Sequence, residues 1–221
     1  VWTNAYNGPA NNFDGANAIA LDKGGNASVT GSSVGSGTDY DYATIRYSSA
    51  GVPLWTNRYN GPGNTTDTAI AIVTDASSNV VVTGYTTTAG LHDWTTIKYS
   101  AAGTPLWTNQ YNGPTSLNDE PTAIAVDTNS NVFVTGQAAT ATVSDFATIK
   151  YSAAGAPAWV NFYDGPGHGN DRATAIAMDT NGNVFVTGFS TGSGGNFDFA
   201  TIKYANTGSP LWTNRFNGSA N

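Results

Sequence analysis

Carboxylates are the residues of this chain best placed to do chemistry. Aspartate recurs at Asp14, Asp67, Asp119 and Asp171, in steps of 53, 52 and 52 residues. Four carboxylates gathered around one channel mouth would make a candidate metal ring, because a hard cation takes oxygen ligands. The competing reading is that each Asp accepts backbone N–H groups of its own loop and fixes a turn-to-strand junction. A second set, Asp41, Asp93, Asp145 and Asp198, immediately precedes the aromatic that opens strand c and reads as architectural. A third, Asp22, Asp75, Asp127 and Asp179, opens turns such as "DTNGN", which imitate the first half of a calcium loop. The twelfth positions of that loop would be Ser33, Thr86, Ala138 and Ser190, where a bidentate carboxylate is required, so turn chemistry is the better account.

Other chemistry is sparse. His92 and His168 fall in different loops without the spaced partner of a zinc motif. No nucleophile elbow, P-loop or dinucleotide fingerprint occurs, and the expectation is a protein that is not an enzyme, with no catalytic residue and no cofactor. Tyr40, Tyr85 and Phe189 are predicted in variable loops, where flat rings could stack on a sugar, so carbohydrate is a candidate ligand. The third unit has Gln137 where two of the others have an aromatic after "VTG". Sequons occur at Asn26, Asn64 and Asn217, as chance allows in a chain rich in Asn and Thr.

The elements that must position these residues follow from a repeat. Trp recurs at Trp2, Trp55, Trp107, Trp159 and Trp212, and "VTG" begins at Val29, Val82, Val134 and Val186. A period of 52 to 53 residues across the whole chain, with no 3.6-residue periodicity inside it, is that of four-stranded blades. Strand a reads "NAIAL", "TAIAI", "TAIAV" and "TAIAM", whose branched and small residues suit burial on both faces. Strand b ends in "VTG", strand c is "YATIRY" and its variants, and strand d is "LWTNRY" and its variants. Short Asn/Asp/Gly turns join a to b and c to d, while longer, variable loops join b to c and d to a. Alternating strand directions put the variable loops at one end, where a site is expected.

The chain has 221 residues, 39% apolar and 10% charged, with 26 Gly and no Cys, which is the profile of a turn-rich β protein without disulfides. Net charge is −7 and the eight basic residues are scattered, so there is no stripe to neutralise nucleic acid. No apolar run approaches the ~20 residues of a membrane-spanning helix. The opening at Val1, without a Met, reads as a processed or excised chain.

"ATAIAMDTNGNVFVTG", Ala173 to Gly188, and "DFATIKYSAAG", Asp145 to Gly155, resemble the units of the bacterial β-propeller repeat family called SBBP. The resemblance covers essentially the whole chain. It implies a β-propeller in a large secreted or surface protein without assigned activity, and a usual count of about seven blades where this chain has four complete units.

The predicted fold is all-β: a β-propeller of four ~52-residue, four-stranded repeats, approximately 10–60, 61–112, 113–164 and 165–217, forming one domain over 1–221. The expected function is that of an extracellular or cell-surface structural or adhesive module; a lectin-like glycan binder is the alternative, and a hydrolase built on the Asp ring is a third. Residues 1–9 carry a surplus strand d, giving five copies of d against four each of a, b and c. An unpaired apolar edge invites association, so the chain is expected to partner itself, as a homo-oligomer or filament, through Trp2, Thr3, Asn4, Trp212, Thr213 and Asn214. On that view, deleting Val1 to Pro9 leaves folded monomers that do not assemble.

Overall fold

Each repeat folds into one antiparallel sheet of four consecutive strands, and the computed structural model, which describes residues 1–218, has no helix among them. The first sheet holds β1 (Asp14–Leu21), β2 (Ala27–Val34), β3 (Tyr40–Tyr47) and β4 (Pro53–Tyr59). The second holds β5 (Asp67–Thr74), β6 (Val80–Thr88), β7 (Leu91–Tyr99) and β8 (Pro105–Tyr111). The third holds β9 (Glu120–Val126), β10 (Val132–Ala139), β11 (Ser144–Tyr151) and β12 (Pro157–Tyr163). The fourth holds β13 (Asp171–Met178), β14 (Val184–Thr191), β15 (Phe197–Tyr204) and β16 (Pro210–Phe216). Strands a, b, c and d of the sequence are thus the four strands of each sheet in order, the blade of a β-propeller.

The local rules are visible in every copy. Asp22, Asp75, Asp127 and Asp179 each accept two backbone N–H bonds and a side-chain amide bond from the a-to-b turn, as in Asp75 with Ser77, Asn79 and the Asn79 Nδ2. The "VTG" threonines pair hydroxyl to hydroxyl with strand c, as in Thr83 to Thr96 at 3.0 Å. The glycine that follows faces a bulge in strand a, where a Cβ on Gly84 would stand 1.9 Å from the Thr68 carbonyl oxygen, so no larger residue fits.

The sheets group into two compact units, Val1–Tyr111 and Asn112 onward. In the first unit, the first sheet packs on the second around Tyr42, Ala69, Val80, Val82, Ile97 and Tyr99. In the second unit, the third sheet packs on the fourth around Phe133, Phe146, Val184, Val186, Ile202 and Tyr204.

Two expectations change. Strand a is not buried on both faces in every copy: β1 leaves Ile19 and Leu21 exposed, because the face of the first sheet that carries Ile19 borders an open groove. The strand d tryptophans Trp55, Trp107 and Trp159 are half-buried. Residues 1–8 have the composition of strand d but take no ladder, and their side chains hold them in place.

Candidate functional site

The four ring aspartates are spent on backbone. Asp67, Asp119 and Asp171 are fully buried at the start of strand a, apart from Asp119, which stands one residue before it. Each accepts one N–H from the loop after the preceding strand d and one from the end of strand b. For Asp171 the donors are Gly165 N at 2.5 Å and Thr191 N at 2.7 Å. For Asp119 they are Gly113 and Ala139, and for Asp67 they are Gly61 and Thr87. Asp14 takes Gly8 N at 2.8 Å, and its other oxygen is buried without a partner. Burial pushes the Asp67 carboxyl up to about 6, against the pull of its two N–H bonds and with a push from Asp41. These carboxylates staple the variable loops to their sheets.

The second set of aspartates differs from sheet to sheet. In the first, Arg58 Nη2 donates to Asp41 at 2.9 Å, while the same guanidinium donates to the Ser33 hydroxyl and carbonyl and to the Tyr6 hydroxyl. In the fourth, Arg215 repeats this with Asp198 at 2.9 Å, Ser190 and the Tyr163 hydroxyl. The second sheet has Gln110 in that place, and the third has Phe162.

Without a guanidinium, Asp145 of the third sheet stands near two further carboxylates. One oxygen each of Asp145, Asp164 and Asp171 lies within 4.8 Å of the others, and no other such group of three metal-ligating side chains occurs among the described residues. Burial first, then the charges of Asp164 and Asp171, push the Asp145 carboxyl up to about 6, and His168 opposes them. His168 Nδ1 meets Asp164 at 2.6 Å, which raises the imidazole above its ordinary value. Three carboxylates so placed can share a proton or offer oxygens to a cation, although both Asp171 oxygens already accept backbone N–H groups. Of the four predicted ring positions, Asp171 alone enters this cluster.

The aromatics predicted in variable loops lie in strands instead, Tyr40 at the start of β3, Tyr85 in β6 and Phe189 in β14. They are half-buried against their own sheets because the ladders extend past the expected loop boundaries. Tyr85 stacks on His92 with ring centroids 4.1 Å apart, Tyr40 meets Phe13 edge-on, and Phe189 meets Phe197 edge-on. Each ring is therefore engaged within the chain, Tyr85 by one of its faces.

The predicted assembly residues fall into a repeated docking device. Trp55 Nε1 donates to the Ala101 carbonyl at 3.1 Å and its ring lies on Tyr99, while Asn57 Nδ2 donates to the Gly103 carbonyl at 2.7 Å. Trp159 and Asn161 do the same with Asn206, Tyr204 and Gly208. The glycine of each receiving turn has positive φ and no room for a Cβ, which would meet the indole at 2.7 to 2.8 Å at Gly103 and Gly208. Trp2 and Asn4 dock identically on the first sheet, to Ser49 and Gly51, with Trp2 on Tyr47. Thr3, Trp212, Thr213 and Asn214 are exposed.

Reasoning from the sequence missed Arg58, Arg215 and the partnership of Asp145 with Asp164. The signal was present in the repeat: Asp164 replaces the Asn of "YNGP", and Phe162 replaces the Arg or Gln of strand d, both in the same unit.

Residues 106–139 match the family model described as SBBP, a beta-propeller repeat. No curated protein matches the sequence. Among solved structures, the fold is similar to that of the periplasmic gluconolactonase PpgL of Pseudomonas aeruginosa, with a TM-score of 0.57 at 11% identity, over 93% of this chain and 58% of that one. The chain thus spans less than two thirds of that protein. A structure titled as the eukaryotic initiation factor gives a TM-score of 0.46 at 13% identity, over 92% of this chain and 56% of that one. Residues 106–139 thus carry the repeat that the family model describes, and the same four-stranded unit recurs in each sheet.

Proposed function

We propose that this chain is a non-enzymatic, extracellular structural or adhesive module of the β-propeller repeat type, which works by protein contact and partners itself. The observation that carries this reading is where apolar surface is left uncovered. Phe197, Phe199, Trp212 and Phe216 of the fourth sheet are all exposed, whereas the buried carboxylates Asp67, Asp119 and Asp171 are committed to holding loops. An exposed apolar patch of this kind is a contact surface. The likeness to a periplasmic protein agrees with a setting outside the cytoplasm, and at 11% identity its lactonase activity does not come with the fold. We take all four repeats together as one domain over 1–221.

A glycan array against self-association tests the reading. Association without glycan binding is the expected result. Saturable glycan binding lost on Tyr85→Ala would put the lectin-like alternative in its place. Hydrolase activity that needs a metal and disappears when Asp67 and Asp119 are changed together would replace both.

A further inference from the structure

The inference rests on the self-partnering reading above and names the surface. Wherever one sheet follows another within a unit, three contacts recur: the strand d Trp, the Asn two residues on, and the aromatic of strand c. Tyr42 is that aromatic in the first sheet. It is 1% exposed and donates its hydroxyl to the Thr95 carbonyl of β7 at 3.1 Å, packed so closely that a Cβ on Gly84 would meet its oxygen at 2.8 Å. Phe146 is its counterpart in the third sheet, also 1% exposed. In the fourth sheet the counterpart, Phe199, is 67% exposed; Trp212 and Asn214 beside it are exposed, as the seated Trp2 and Asn4 also are, so it is Phe199 that marks the face as uncovered.

The first sheet shows the complementary half. Its seats for Trp and Asn are taken by Trp2 and Asn4. The place where a Tyr42-like ring would enter is open: a groove of about 280 Å³ lined by Gly31, Ala43, Ile45 and Ile19, where the second sheet has Gly84, Thr95 and Ile97 against Tyr42. One sheet thus lacks a receiver for its Trp, Asn and Phe, and another has a receiver that is only partly filled.

We propose that this groove is the docking site for the fourth sheet of a second copy of the chain, and that residues 1–7 are a removable plug in it. Phe199 of the incoming copy fills the groove over Ala43, Trp212 takes the Ser49 carbonyl from Trp2, and Asn214 takes the Gly51 carbonyl from Asn4. Only one of the two similar strands can occupy the seat. Residues 1–7 leave because they have no backbone ladder, whereas β16 is tied to β15 from Phe199–Phe216 to Tyr204–Pro210. One bond is not replaced: Tyr6 accepts from Arg58, and Phe216, which arrives in its place, has no hydroxyl. The contact is heterologous, so each added copy presents another groove and another free face until a ring closes.

The sequence alone predicts that deleting Val1 to Pro9 abolishes assembly; the seat of Trp2 reverses that sign. Sedimentation velocity on the full chain, on the chain lacking residues 1–9, and on each with Phe199→Asp is the test. The truncated chain is expected to associate at least about ten-fold more tightly than the full chain. Phe199→Asp is expected to return it to monomer with unchanged far-UV circular dichroism. Should truncation unfold the protein, Trp2→Ala with Asn4→Ala in the full chain empties the same seats and is expected to tighten association likewise. A folded plug-free chain that associates no more tightly than its parent overturns the proposal. So does association that survives Phe199→Asp, which would leave the structural reading standing with a different surface. A chain that is monomeric in every form and binds glycans saturably overturns both.

Discussion

The first and third sheets share strand order, register and turn chemistry, yet treat the same carboxylate in opposite ways. Asp41 is buried against a guanidinium that also satisfies Ser33, whereas Asp145 has Phe162 in place of the arginine and Ala138 in place of the serine. Donor and acceptor have gone together, which leaves neither an unpaired hydroxyl nor an unpaired guanidinium in the third sheet. Replacing both partners of a polar contact by apolar groups is much cheaper than removing one. What the exchange leaves is the carboxylate itself, now facing Asp164 and Asp171. A repeat can therefore keep its backbone while one corner changes from an ion pair to an acidic cluster.

The comparison breaks most visibly through Arg58→Ala. This strands buried Asp41 and Ser33 and is expected to cost about 2–3 kcal/mol in urea unfolding, because half of a buried pair is left behind. Phe162→Ala, at the equivalent but exposed position, is expected to cost about 1 kcal/mol or less. Equal losses would mean that the two corners are not energetically distinct.

Phe162→Arg sharpens the contrast by giving the third sheet the first sheet's solution. Asp145 has a folded pKa of about 6, above its unfolded value of ~3.9, so the folded state binds the extra proton between them. Stability therefore falls as pH rises from about 4 to 6, and the cost is fully present above that range. A guanidinium at 162 is expected to remove it, stabilising the protein by about 1–2 kcal/mol at pH 8, after allowance for solvent screening, and by little at pH 4. A gain of the same size at both pH values would point to packing and not to charge.

Asp145→Asn isolates the carboxylate with a smaller expected gain, about 1 kcal/mol at pH 8, and flattens the stability profile between pH 4 and 6. The profile does not become level, because Asp67, also raised to about 6 by burial, acts with the same sign. An unchanged profile in Asp145→Asn would remove the cluster from the account of pH dependence.

The smallest effect concerns His168, an exposed side chain whose bond to Asp164 raises its pKa. Protonated, it favours the folded state below its unfolded value, and that contribution is lost as pH rises through the raised folded one. An NMR titration is expected to show the imidazole of the parent titrating above that of Asp164→Asn. Coincident curves would show that the bond at 2.6 Å is not formed in solution.

Much of this was legible in the sequence, for reasons that are local. The alternation in "TAIAI", the threonine and glycine of "VTG" and the Asp-to-Asn turns act within a few residues, so one copy suffices to read them and four copies confirm the period. The strand count and order of every sheet follow from these rules, as does the reading of Asp67, Asp119 and Asp171 as loop acceptors weighed against a cation ring. Misjudged from the same strings were the faces of strand a, because burial depends on what covers a sheet and not on the strand itself.

Distances between sheets belong to the tertiary structure alone. Asp145 comes from β11, Asp164 from the loop after β12, and Asp171 from β13 of the next sheet, so their approach to within 4.8 Å depends on how the third sheet packs on the fourth. The place of Trp2 was settled in the same way. Its composition marks it as an outer strand, but whether that segment joins a ladder or seats its indole on a neighbouring turn depends on which edge or face is within reach. Sequence periodicity determines what each repeat becomes, since hydrogen bonding and side-chain alternation act along the chain; packing decides which charges meet and which faces stay open, since those are set across space.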